Sequence, residues 1–159
     1  MPKTVPSSHD NPETSSTRRT VLALLSLLFL PWSLQVFAAG DATFLFAWGL
    51  VNTNPLSVTT LPDFLFVYTR GLPEYILAWP LSVAFYAAAV ASAAVGWRVD
   101  REDPRVTGGL LVLVGIAQLR LAWGFSLQPG RIAWPIGTVA VLAVAWWYYW
   151  PRVRTMRRS

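Results

Sequence analysis

Twenty consecutive residues, Val106 to Phe125 (VTGGLLVLVGIAQLRLAWGF), contain a single ionised side chain, Arg120. As a helix this run is about 30 Å long, which matches the hydrocarbon thickness of a bilayer, and it satisfies its own backbone groups. Three more apolar blocks accompany it: Val21 to Ala39, Tyr75 to Trp97 and Ile132 to Trp150. Hydrophobic residues make up 54 % of the chain and charged ones 13 %, too apolar a balance for an ordinary soluble domain of 159 residues. The sequence predicts an all-α, polytopic membrane protein with four transmembrane helices at 21–39, 75–97, 106–125 and 132–150.

The basic residues test that count. With both termini in the cytoplasm, one side of the membrane carries Lys3, Arg18, Arg19, Arg98, Arg101, Arg105, Arg152, Arg154, Arg157 and Arg158. The other side carries Arg70 and Arg131. That is the positive-inside pattern, and a fifth crossing within 42–60 would destroy it. The same distribution turns a net charge of +5 into topology signals and headgroup contacts, and argues against nucleic-acid binding. The expected location is the cell membrane, with the bilayer and another membrane protein, or a second copy, as partners.

Residues 1–20, with Pro2, Pro6 and Pro12 among Ser and Thr, read as a disordered cytoplasmic tail, and 151–159 as a basic cytoplasmic tail. Arg18-Arg19 ahead of the first run also fits a twin-arginine export signal cleaved after Ala38 or Ala39. The length of the run favours a retained span, kinked at Pro31. Segment 40–73 is the least regular. Its apolar piece ATFLFAWGLV stops at Asn52-Thr53-Asn54-Pro55, so it reads as an outer interfacial or re-entrant stretch. Within it LPDFLFVYTRG reads as a short helix capped by Thr60 and ended by Gly71.

Small residues mark candidate packing faces. Ala84, Ala88, Ser92 and Gly96 recur every four positions in the second span, and Gly108, Gly115 and Ala122 every seven in the third. Packing these two faces together is the economical expectation. Trp146, Trp147, Tyr148, Tyr149 and Trp150 form an aromatic belt at the end of the fourth span.

Candidate polar residues are few. Arg120 sits in the outer third of its span, to snorkel or to pair with an outer carboxylate, Glu74 first, then Asp63 or Asp41. Gln118 is expected to hydrogen-bond across helices. There is no cysteine, and the single histidine is His9 in the N-terminal tail. No Ser–His pair, paired intramembrane carboxylates, metal-ligand cluster or phosphate-binding glycine loop is present, so neither an enzyme nor a bound cofactor or metal is expected.

Three stretches carry a resemblance: TRGLPEYILAWPLS, GGLLVLVGIAQLR and IAWPIGTVAVLAVAWWYYWP. Together they resemble a family of small, uncharacterised haloarchaeal membrane proteins encoded near archaeosortase A. The resemblance implies a role near surface-protein processing and carries no catalytic residues across. An archaeosortase needs a nucleophilic cysteine, which this chain lacks. The expected function is a non-enzymatic accessory partner of another membrane protein, with a small transporter or channel subunit, resting on Gln118, Arg120 and 40–73, as the alternative.

Overall fold

The computed structural model describes residues 12–68, 70–71, 73–99 and 103–156, with side chains from Arg19 to Thr155. The chain begins with helix α1, Pro12–Ser26. Four short strands follow: β1 (Ser33–Phe37), β2 (Ala42–Leu45), β3 (Gly49–Thr53) and β4 (Leu56–Thr60). A short helix, α2 (Leu61–Asp63), widens into a π-helical turn over Phe64–Tyr68. Thr60 caps it by accepting from the Asp63 amide at 3.3 Å, and Gly71 follows with a left-handed φ of +82°.

A 3-10 turn, Glu74–Leu77, leads into α3 (Ala78–Val99), and a short connection returns the chain as α4 (Pro104–Ser126). Pro104 starts α4 where its missing N–H costs nothing, and Asp103 accepts from the Arg105 amide at 2.9 Å. Strand β5 (Arg131–Trp134) precedes a last helical stretch made of α5 (Ile136–Val144), a π-helical turn (Ala145–Tyr149) and α6 (Trp150–Met156).

The strands form one antiparallel sheet in the order β4-β3-β2-β1-β5. Strands β1 to β4 are a meander, and β5 returns after α4 to pair with the free side of β1. The start of α3, the end of α4 and the start of α5 meet this sheet, with Trp79 of α3 against Leu45, so it caps one end of the helices. Val99 and Pro104, the far ends of α3 and α4, lie away from it.

This architecture corrects the all-α expectation of four spans: the chain is a mixed fold of helices and an antiparallel sheet. Two helices of the described residues, Glu74–Val99 and Pro104–Ser126, are long and apolar enough to cross a membrane. The predicted first span, 21–39, does not form. Its helix ends at Ser26, and the Trp32 amide then bonds to the Leu45 carbonyl at 2.6 Å, drawing the chain into the sheet. The predicted fourth span, 132–150, opens as β5 and turns helical only at Ile136. Segment 40–73 is regular rather than irregular, holding β2 to β4, α2 and the π-helical turn, and residues 12–20 belong to α1 rather than to a disordered tail. Residues 1–11 and 157–159, with Lys3, Arg157 and Arg158, lie outside the described residues, as does Arg101.

Trp32 is the junction between the two layers, and its side chain is 0 % exposed. Its indole N–H donates to the Leu27 carbonyl at 2.8 Å, closing the turn after α1. Its ring meets Tyr86 of α3 edge to face at 5.3 Å, and the Tyr86 hydroxyl reaches the Leu24 carbonyl at 2.6 Å. On the far side Gly137 of α5 lies against the Trp32 backbone and donates its amide to the Trp32 carbonyl at 2.9 Å. A Cβ on Gly137 would stand 2.5 Å from the Trp32 Cα.

Gly137→Ala is therefore expected to destabilise the fold by about 1–3 kcal/mol through overpacking against backbone. Gly109→Ala adds a Cβ that meets nothing within 4 Å. It is expected to stabilise by up to about 1 kcal/mol through helix propensity. Thermal unfolding in detergent, followed by circular dichroism, separates the two; equal melting of Gly137→Ala and the parent would refute the tight junction.

Candidate functional site

The strand register sorts the sheet into two faces of opposite character. Val58, Val51, Phe44, Leu34 and Trp134 stand opposite one another in a row across all five strands. Two residues along, on the same face, lie Leu56, Val36 and Ile132. Trp134, Val58 and Ile132 are each about 60 % exposed and Leu56 is 80 % exposed. This face points away from the helices.

The other face, turned toward the protein, carries the row Ala133, Gln35, Thr43, Asn52 and Ser57. Gln35 and Thr43 are buried, as is Ser33 two residues before Gln35. The Thr43 hydroxyl donates to Asn52 Oδ1 at 2.7 Å, and Asn52 Nδ2 to Ser57 Oγ at 3.2 Å. Leu45 is the apolar exception on this face and packs with Phe64, Trp79, Leu121 and Phe125. The Trp79 indole N–H donates to the Phe46 carbonyl at 3.0 Å, tying α3 to the β2–β3 turn. A half-exposed antiparallel sheet ordinarily keeps its apolar side in and its polar side out. Here the order is reversed.

Between α3 and α4 lies a small polar contact. Gln118, fully buried, donates from Nε2 to Ser82 Oγ at 2.6 Å, and the Ser82 hydroxyl donates to the Trp79 carbonyl at 2.6 Å. Gln118 Oε1 is buried without a hydrogen-bond partner. Nearer the loop, the Ser92 and Thr107 hydroxyls are bonded at 2.9 Å.

Arg120 is exposed on the opposite side of α4, in a stripe with Leu113, Ile116, Trp123 and Leu127, all exposed as well. Glu74 is exposed beside the start of α3, where its neighbour Tyr75 packs against Gly124 and meets Phe125 edge to face. Among the described residues no ion pair joins Arg120 to Glu74, Asp63 or Asp41.

The small-residue faces are not brought together. Ala84 and Ala88 are exposed, Ser92 is half-buried and Gly96 is buried. The buried side of α3 is instead Ser82, Tyr86, Ala89 and Ala93. Gly108 and Gly115 of α4 face the C-terminal helix, where a Cβ would lie 3.0 Å from Tyr149 Cβ and from a Leu142 methyl respectively; Ala122 is buried. The inverted sheet face and the Trp32 junction were missed from sequence. The sheet has a partial signal in LSVTT, which alternates apolar and polar residues after the turn at Asn54-Pro55, whereas ATFL and GLVNT set apolar residues side by side.

Charge is divided along the long axis. The sheet end holds Asp41, Asp63 and Glu74 with Arg70 and Arg131. The opposite end, among the described residues, holds Arg98, Arg105, Arg152 and Arg154 with Asp103.

The family model Domain of unknown function (DUF8050) matches residues 2–159, so the chain belongs to that family. No curated protein matches it.

The Gln118–Ser82 contact yields a test of the helix pair. Ser82→Ala strands the Gln118 amide and is expected to cost about 1–3 kcal/mol. In a Gln118→Met background, where no amide remains to be satisfied, the same substitution is expected to cost less than about 0.5 kcal/mol. A double-mutant cycle on melting temperature measures the coupling, and additive effects would rule the contact out.

Proposed function

We propose that this protein is a non-enzymatic component of the cell membrane whose sheet binds another membrane protein. In this reading the α3–α4 hairpin crosses the bilayer, and the sheet sits on the outer side. The observation that carries it is the apolar row Val58, Val51, Phe44, Leu34 and Trp134 on the outward face of the sheet. Contiguous apolar surface of this kind is rare on a free protein and common where a partner docks. Each Val, Leu or Ile it covers contributes about 1.5–3 kcal/mol when fully buried.

Protein suits that face better than lipid. Strands β4 and β5 are open edges of the sheet, and hydrocarbon offers nothing to their free backbone groups. The sheet therefore belongs outside the hydrocarbon layer, where an apolar face needs a protein to cover it. The basic helix end, with Arg98, Arg105, Arg152 and Arg154, suits the cytoplasmic side, and this supports the orientation. Gln118 is buried against Ser82 and Arg120 lies on the outer surface of α4, so neither lines a passage between the helices. That favours a docking role over a transporter or channel subunit. The chain has no cysteine, and its one histidine stands in the N-terminal segment, which supports a non-enzymatic role. The resemblance to proteins encoded near an archaeosortase makes surface-protein processing the first process in which to seek the partner.

The test is purification of the tagged protein from native membranes in mild detergent. The unmodified chain is expected to bring down one membrane protein in stoichiometric amount. Val58→Asp, which points outward and leaves the core intact, is expected to reduce that recovery at least about tenfold, since an unpaired charge is costly to bury. Recovery of the chain with nothing attached, or undiminished recovery by Val58→Asp, would sink the reading. So would a homo-oligomer alone, which would assign the face to a second copy.

A further inference from the structure

A second feature lies at the far end of the helices, away from the sheet. Between α4 and the C-terminal helix runs a groove of about 480 Å³. Gly108 and Gly109 leave its floor bare, because Gly108 lies directly against Tyr149 while the Cβ position of Gly109 faces open space. Its wall is the π-helical turn, which brings Trp146 and Trp150 into a stack with ring centres 5.2 Å apart and planes 12° from parallel. Such turns inside longer helices commonly mark functional positions.

The charge on this groove is confined to one end. Arg105 and Val153 line the end beside the start of α4, and Val112 with Leu142 line the other end, deeper toward the middle of the helices. Among the described residues no acidic side chain lines it. Asp103, the nearest carboxylate in sequence, spends one oxygen capping the Arg105 amide. Arg154 does not line the groove itself, but its guanidinium stands 5.0 Å from the ring centre of Trp150, which does. From Arg105 to Val112 the groove runs seven residues, about 10 Å along the helix axis, from the basic end of the molecule toward its apolar middle.

We propose that this groove seats one acyl chain of an anionic phospholipid, with the phosphate held by Arg105 and Arg154. Polarity order decides the class. A lipid in the leaflet at the basic end presents its headgroup at the level of Arg105 and its chain toward Val112, as the groove does. The phosphate preference follows from charge-assisted hydrogen bonds to guanidinium groups near an anionic surface. This inference rests on the bilayer crossing proposed above, but it concerns a different surface from the sheet face and stands whether or not that face binds a protein.

Native mass spectrometry of the full chain in detergent, with added phosphatidylglycerol or phosphatidylcholine, provides the test. One phosphatidylglycerol is expected to bind saturably, with roughly tenfold preference over phosphatidylcholine, whose choline cation offsets its phosphate and is repelled by the arginines. Arg105→Gln with Arg154→Gln is expected to abolish the preference while chain binding persists. Gly109→Phe fills the groove from a position with free space and is expected to lose both lipids with the melting temperature retained. If that variant fails to accumulate, Val112→Trp closes the deep end and gives the same readout. The proposal is overturned if phosphatidylcholine binds as well as phosphatidylglycerol, if neither binds saturably, or if the folded groove-filling variants bind as the parent does. A polypeptide displaced by those variants without lipid binding would likewise overturn it.

Discussion

Burial of the Trp32 indole is the contact on which the arrangement of the helices and the sheet depends. A tryptophan deep in a protein needs a partner for its one N–H, and the Leu27 carbonyl supplies it only if the chain turns sharply after α1. That turn stops an otherwise apolar run from continuing as a helix. It then presents the Trp32 amide to Leu45 and starts β1 in register with β2. The same ring fixes Tyr86, whose hydroxyl returns to α1 at Leu24, and the same backbone fixes Gly137 at the start of α5. Three helices and the sheet thus converge on one residue. The close approach at Gly137 explains why the C-terminal helix begins where it does rather than at Ile132.

The inward side of the sheet tolerates polar residues because they bond to one another across the strands, Thr43 to Asn52 and Asn52 to Ser57. Ser33, Gln35, Thr43 and Asn52 sit on that side, with Leu45 filling the single apolar gap over Trp79 and Phe125. With period-two alternation, every residue between them must point the other way. In a chain this rich in aliphatic residues those positions became Leu34, Val36, Phe44 and Val51. A slip of one residue would bury the apolar row and expose the polar one, so the observed register is held by the side-chain ladder and by Trp32, not by hydrophobic sorting alone.

The two helices that cross the centre of the molecule were legible in the sequence because length and continuity of apolar residues decide such segments. The 75–97 and 106–125 runs became α3 at Ala78–Val99 and α4 at Pro104–Ser126. Local chemistry was legible too, as at Thr60, whose hydroxyl caps the next helix. The sheet is not, because its strands of four and five residues lie inside longer apolar blocks, and Pro31 sits beyond the end of α1 rather than at a kink within a span. Small-residue spacing misled in a different way. Four-residue recurrence puts Ala84, Ala88, Ser92 and Gly96 along one side of a helix, but which side is buried depends on where the large residues find partners. Trp79, Ser82 and Tyr86 have partners inside, and they turn Ala84 and Ala88 outward.

The division of charge and aromatic residues along the axis is consistent with this division of labour. Arg105, Arg152 and Arg154 gather at the end that also holds the Trp146–Trp150 stack, while the sheet end carries three carboxylates against two arginines. Arginine and tryptophan together favour an interface with anionic headgroups, and exposed aliphatic side chains on an open-edged sheet favour protein. Arg120 fits between these regimes. It stands six residues, about 9 Å, before the sheet-side end of α4. In the proposed orientation that is within reach of the interface for a side chain of its length, which would allow an unpaired guanidinium to remain in an otherwise apolar stripe. No carboxylate is then required to neutralise it, and Glu74 is left to the solvent at the mouth of α3.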